Sequence, residues 1–339
     1  MGRSDWDSLI KKEGSKNDFS GVIYMKKESE IVGEAAYGYA NRSEKFANTI
    51  HTRFGIASGC KLFTAIGICQ LVEKGLLSFQ SKLHDCLDID FPHFDRNITI
   101  HHLLTHTSGI PDYFDEELMD DFEALWQERP VYTMKSSRDF LPLFQNNPMK
   151  FNPGEKFHYN NAGFILLGLV IEEQTGKKFT DFIETEVFQQ CGLKDSGYFP
   201  MDHLPSNTAL GYIDDEKGET WRTNIYSIPA IGGADGGAFS TAPDMIKLWE
   251  ALFSYQLVNR EITQILLTPQ VCVKDDVHYG YGLWINKKKE DIFKYHVMGY
   301  DPGVSFHSAF YPALDIKMAI TSNKESGPFE VMKTMEEHF

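Results

Sequence analysis

Positive charge is in short supply along this chain. Across 339 residues, 33 Lys and Arg stand against 48 Asp and Glu, a formal net charge of −15. No Lys/Arg-rich stripe offsets the excess, so nucleic acid is excluded as a partner and an anionic membrane surface is disfavoured. Cysteine is scarce too, with five residues at 60, 69, 86, 191 and 272. Their number is odd and no CxxC or CxxH pair occurs, which argues for reduced thiols used as small buried apolar residues, not for a disulfide framework or a zinc site. Long hydrophobic runs are missing: the stretch 164–171 falls far short of the roughly 20 residues a membrane span needs. The opening MGRSDWDSLI has no charged-then-apolar export signal, and Trp6 stands where a myristoylation signal wants Ser or Thr. The expected compartment is the cytoplasm, or the exterior with an export signal already removed.

Several catalytic signatures are also missing. No Gly-x-Ser-x-Gly elbow surrounds Ser58, because Ile56 lies two residues before it. There is no Walker A sequence. His102 and His106 have the spacing of zinc ligands, yet Leu103 takes the glutamate position of His-Glu-x-x-His, so the pair is assigned to packing and capping. The glycine-rich run 232–237 lacks GxGxxG spacing and reads as a tight turn.

What remains is an ordinary globular composition, 42% hydrophobic and 24% charged, long enough to bury a large core. Segments 20–27 and 30–39 read as strands after a short helix over 4–13. Later strands are expected at 279–286, 292–297, 303–311 and 315–321, before a final helix from about 328. The middle is mostly helical: a helix after Ser58 stopped by Gly75, one capped by Thr99 and running to His106, and a buried one over 162–175 closed by Gly176. Thr241 caps another. The loop 112–135 reads as a solvated flap, with a role in screening substrates left open. Strands at both ends that pair with each other predict an α+β fold. It is an antiparallel sheet flanked by N- and C-terminal helices, with a mostly helical lobe inserted between the sheet's halves. The sheet lobe is placed at about 1–57 and 206–339, the helical lobe at about 58–205, with a cleft between them.

Three short motifs could carry chemistry. In Ser58-Gly-Cys-Lys61 the two polar residues sit one helical turn apart, and a serine at a helix start feels the positive end of the dipole. The lysine can take or relay the hydroxyl proton. Ser8 and Lys11 have the same spacing, so spacing does not decide. Tyr159-Asn-Asn161 offers a phenol for proton relay, which needs a nearby cation to ionise near neutral pH, and Asn161 an amide for lysine or substrate. Tyr39-Ala-Asn41 repeats that pattern. In Tyr295-His-Val-Met-Gly-Tyr-Asp-Pro-Gly303 a strand edge ending in glycine lets a substrate backbone approach, although taken alone the segment reads better as a plain hairpin with an Asp-Pro-Gly turn.

In their order these pieces resemble the serine β-lactamase and penicillin-binding-protein superfamily, on its class C β-lactamase-like branch, over roughly 18–325. The resemblance lies in FGIASGCKLFTAIGICQLVEKGLL, ITIHHLLTHTSGIPDY, FNPGEKFHYNNAGFILLGLVIEEQTGKKF, VFQQCGLKDSGYF and GGADGGAFSTAPDMIKLW. It implies Ser58 as acylated nucleophile, Lys61 as its activating partner, Tyr159 as proton shuttle and Asn161 facing lysine and substrate. Gly299 then matches the glycine of the family's third motif. That puts Val297 where a basic residue is expected and His296 one place early, as a displaced substrate-binding candidate. An oxyanion hole from the N–H groups of Ser58 and Tyr300 is also implied, with no metal and no organic cofactor. The expected activity is acyl transfer from a β-lactam, D-amino-acid peptide or ester. The alternatives are a carboxylesterase with little β-lactam turnover and a non-catalytic penicillin-binding receptor.

Overall fold

A computed structural model describes residues 2–15 and 19–339 of the chain. The strands at the two ends of the sequence pair with each other. They are β1 (Gly21–Lys27), β2 (Glu30–Tyr37), β3 (Val271–Lys274), β4 (Val277–Tyr279), β5 (Trp284–Lys288), β6 (Asp291–Asp301), β7 (Val304–Tyr311) and β8 (Ile316–Ser322). All eight form one antiparallel sheet in the order β2-β1-β8-β7-β6-β5-β4-β3. Its closure runs from Gly21 opposite Ser322 to Lys27 opposite Ile316. β7 and β8 are buried along their whole length, as central strands covered on both faces must be.

Among the described residues, five of the helices organise most of the rest: α1 (Arg3–Gly14), α2 (Lys61–Glu73), α3 (Asn161–Thr175), α4 (Ala242–Phe253) and α5 (Pro328–Glu336). On one face of the sheet, Trp6 and Ile10 of α1 and Met332 and Met335 of α5 pack with Ile23, Met25, Met318 and Ile320. On the other face lies α4, whose Trp249 indole donates to the Ser308 hydroxyl at 2.8 Å. Behind α4 the larger core takes in α2 and α3. Both are buried through most of their length, Lys61 to Leu71 and Asn161 to Ile171. A helix apolar on every side can lie only inside a protein, which is why neither shows a clean amphipathic stripe. Among the described residues, no helix is long and apolar enough to cross a membrane.

The α+β architecture is the one expected, with local differences. The strand expected at 279–286 is two strands, broken at residues 280–283. There Gly282 has φ 73°, and a Cβ on it would meet the Lys61 carbonyl oxygen at 2.7 Å. The helix capped by Thr99 stops at Leu104, and His106 takes φ 57°. Cys60, Cys69 and Cys86 are buried free thiols, but Cys191 is only half-buried and Cys272 is exposed. Much of the loop 112–135 is exposed, and Trp126 anchors it: that residue is buried and its indole donates to the Ser227 carbonyl at 2.9 Å.

Candidate active site

Ser58 stands in the tight turn Ala57–Cys60 that feeds α2. Ala57 has φ 44°, a left-handed conformation that costs a non-glycine residue about 1–3 kcal/mol and persists only when the surroundings enforce it. They do so here through Ile56 N–H bonding the Ala238 carbonyl at 2.9 Å and Gly59 N–H bonding the Ile56 carbonyl at 2.8 Å. Lys61, one turn on, is 1% exposed. Its ammonium reaches Ser58 Oγ at 3.0 Å, Asn161 Oδ1 at 2.8 Å and the backbone carbonyl of Asp235 at 2.6 Å. Those three acceptors match its three donors, which is what a buried ammonium needs.

Tyr159 completes the group. Its phenol is buried beside the Ser58 side chain, and Lys61 Nζ lies 4.9 Å from its ring centroid. Burial pushes the phenol well above its ordinary value and the Glu116 carboxylate adds to the shift, so the resting phenol is neutral at pH 7. The rings of His106, at 4.4 Å and 33°, and of Trp284, at 6.1 Å and 13°, hold it in place. Asn161 is the first residue of α3. That helix start is fixed by the Asn160 side chain, which accepts from Gly163 N–H at 2.7 Å, and by the Asp112 carboxylate, which accepts from Asn161 and Ala162 N–H at 2.6 and 2.9 Å. Burial raises the Asp112 carboxyl to about 7 against these hydrogen bonds.

Gly299 on β6 lies against the Ser58 turn. A Cβ there would sit 2.2 Å from the Ile56 carbonyl oxygen and 2.8 Å from Ser58 N, so only glycine lets the strand approach. Gly299→Ala is therefore expected to displace the turn. Ester kcat/KM should fall by about two orders of magnitude, the usual consequence of moving a reacting group by an ångström. Steady-state kinetics beside a melting curve check this. Tyr300 has a half-exposed ring whose hydroxyl bonds His307, leaving its backbone as the part near the cleft.

His296 is placed differently from the substrate-binding position considered for it. Its ring is buried beside Trp284, and Nε2 bonds Asn286 Oδ1 at 2.7 Å. Burial pushes it well below the ordinary histidine value, so it is uncharged at neutral pH. Val297, at the position of the expected base, packs into the core. Neither residue lines the cleft among the described residues. The look-alike motifs separate as well. Lys11 pairs with Asp7 at 2.7 Å while Ser8 bonds the Ser4 carbonyl on the exposed face of α1, and Tyr39 is exposed.

The beta-lactamase family profile matches residues 6–337. The chain belongs to the beta-lactamase family. Penicillin-binding protein 4* of Bacillus subtilis is 29% identical over 339 residues, covering 95% of this chain and 72% of that protein. A penicillin-binding protein from Bacillus halodurans superposes with a TM-score of 0.93 at 57% identity, over 98% of this chain and 99% of that one. The octameric penicillin-binding protein homologue from Pyrococcus abyssi gives 0.82 at 26% identity, over 98% and 76%. This family member is a serine acyl-transfer hydrolase of the β-lactamase and penicillin-binding kind, with the mixed α+β fold of those proteins.

The family site opens into a cavity of about 480 Å³. Its walls contain acids that motif reading passed over. The glycine-rich run 232–237 is a tight turn, with Gly233 N–H on the Gly236 carbonyl at 2.8 Å, and it also delivers Asp235. That carboxylate accepts from the Tyr113 hydroxyl, and burial raises its pKa while Lys61 opposes the rise. Asp301, expected only as a turn residue, ends β6 and lines the cavity. Nothing in the local spacing marked either residue, since both act through positions distant in sequence.

Proposed function

We propose that Ser58 is the nucleophile, Lys61 its proton partner and Tyr159 the phenol that carries the proton onward. The approach of Lys61 Nζ to Ser58 Oγ at 3.0 Å carries this reading. In the free-amine form Lys61 accepts the hydroxyl proton as Oγ attacks the carbonyl carbon. The oxyanion is held by the N–H groups of Ser58 and Tyr300. The ester C–O or amide C–N bond then breaks, and Tyr159 passes a proton to the leaving group. Water repeats the sequence on the acyl-enzyme and frees the acid. Asn161 holds Lys61 in register through Oδ1. The sheet segments 1–57 and 206–339 and the helical segment 58–205 are proposed as the two walls of the cleft. The cytoplasm is the proposed compartment, or the cell exterior after removal of an export signal.

Treatment with a fluorophosphonate, followed by intact-protein mass and peptide mapping, is expected to give one adduct on Ser58. An unchanged mass would sink the reading and favour a non-catalytic receptor. For substrates, a peptide or ester carbonyl is favoured over a carboxylate-bearing β-lactam. Glu116, Asp120, Asp235 and Asp301 line the cavity, and His296 brings no cation to it. A carboxylate entering such a site meets like charge, which is strongly disfavoured. A C-terminally amidated D-Ala-D-Ala peptide should therefore be cleaved about tenfold faster in kcat/KM than the free acid. Faster cleavage of the free acid would contradict this choice of substrate.

A further inference from the structure

The cavity beside Ser58 is apolar and acidic at once. Phe122, Phe199 and Trp284 line it together with the acids Glu116, Asp120, Asp235 and Asp301, and no Lys, Arg or His side chain lines it among the described residues. Of the four acids that line it, Asp120 is exposed to water and two others have protein donors. Asp235 accepts from the Tyr113 hydroxyl and Glu116 from Asn161 Nδ2 at 3.4 Å. Asp301 differs: among the described residues no hydrogen bond or ion pair reaches its carboxylate.

Its position gives that carboxylate a direction. Asp301 lies two residues beyond Gly299 on β6, and side chains two apart on a strand share a face. The Cβ direction of Gly299 points into the turn formed by Ile56, Ala57 and Ser58. The carboxylate of Asp301 therefore projects from the same face about one strand repeat, roughly 7 Å along the backbone, from the contact with Ser58. Withdrawal from water and the Asp235 charge push its carboxyl up to about 7, with Glu116 adding and Lys61 opposing. An ionised, half-buried carboxylate with acidic neighbours and no donor is unfavourable until a proton or a cation joins it.

We propose that Asp301, assisted by Glu116, binds the protonated α-amine of an α-amino acyl amide or ester, with the apolar side chain of that acyl group against the cleft aromatics. This rests on the acyl-transfer reading above and names its substrate class. An α-nitrogen lies two bonds, about 2.5 Å, from the carbonyl carbon, so an ammonium held by Asp301 brings that carbonyl toward Ser58. In the reaction the Oγ–acyl bond forms and the C–N or C–O bond to the leaving group breaks. The hydroxyl proton ends on the leaving group, and the ammonium keeps its own proton throughout.

The test compares phenylalanine p-nitroanilide with its N-acetyl derivative, in both enantiomers, on the full chain. The free amine should be preferred by about thirty-fold in kcat/KM for at least one enantiomer, the range of a charge-assisted hydrogen bond. Asp301→Asn should collapse that preference to about threefold or less, and Glu116→Gln should reduce it by a smaller factor in the same direction. Equal or reversed preference in the unmodified protein overturns the proposal. So does an undiminished preference in a folded Asp301→Asn protein. Calorimetry on Ser58→Ala separates recognition from chemistry: phenylalaninamide should bind more tightly than N-acetylphenylalaninamide, and equal affinity counts against Asp301. A missing fluorophosphonate adduct with amine preference intact strikes only the role of Ser58. An adduct without amine preference strikes only this inference.

Discussion

Ser58→Ala is expected to reduce ester and amide turnover by about four orders of magnitude, to the solvent background, and to leave the melting temperature nearly unchanged. Both halves follow from the surroundings of one hydroxyl. Oγ is the atom that Lys61 Nζ approaches at 3.0 Å beside the Tyr159 phenol, so its removal deletes the proposed attacking atom and leaves both proposed proton carriers without a client. The fold loses little. Ser58 is half-buried at the cleft floor, where water can take the vacated place, and Lys61 keeps its bonds to Asn161 and the Asp235 carbonyl. One hydrogen bond lost beside solvent is worth about 1 kcal/mol. Turnover of p-nitrophenyl acetate at the unmodified rate in this variant would remove Ser58 from the mechanism.

Lys61→Met should lower turnover by about three orders of magnitude, the scale of a missing general acid-base group, and slow fluorophosphonate labelling in parallel. Methionine preserves much of the stem and removes the charge. The Asn161 Oδ1 atom and the Asp235 carbonyl then lose their donor, which costs about 1–3 kcal/mol for each buried acceptor left unpaired. Part of that loss is offset, because an ammonium that is 1% exposed was itself expensive to bury. The stability change should thus be modest beside the kinetic one. A second signature follows from the field of the lysine, which holds down the carboxyls of Asp235 and Asp301. Without it both should titrate higher, which carboxyl-selective NMR or infrared titration would read. Labelling at the unmodified rate would show that Ser58 needs no help from Lys61.

How much of this was legible beforehand differs from residue to residue. Ser58 and Lys61 are three apart at a helix start, so local geometry already juxtaposes them, although the same spacing at Ser8 and Lys11 produced only a surface pair on α1. Tyr159 and Asn161 belonged to a motif with long flanks, and those flanks include the elements that hold it: Asn160 as helix cap and Gly176, at φ 67°, as helix stop. His296 was harder. Its one-residue displacement from the family pattern was visible in the sequence, but a strand shows no sign of which neighbours will enclose a given side chain. The ring settled beside Trp284 and Asn286, uncharged.

The sequence by itself determined the α+β class, the pairing of strands from its two ends and the family, because each rests on local periodicity or on long contiguous motifs. The acidity of the cleft was decided only in three dimensions. Glu116, Asp235 and Asp301 come from a wall loop, a glycine turn and the end of a strand, and each looks locally like an ordinary turn or surface residue. Charge interactions depend on distance through space and on exclusion of water, and no spacing along a chain records either quantity.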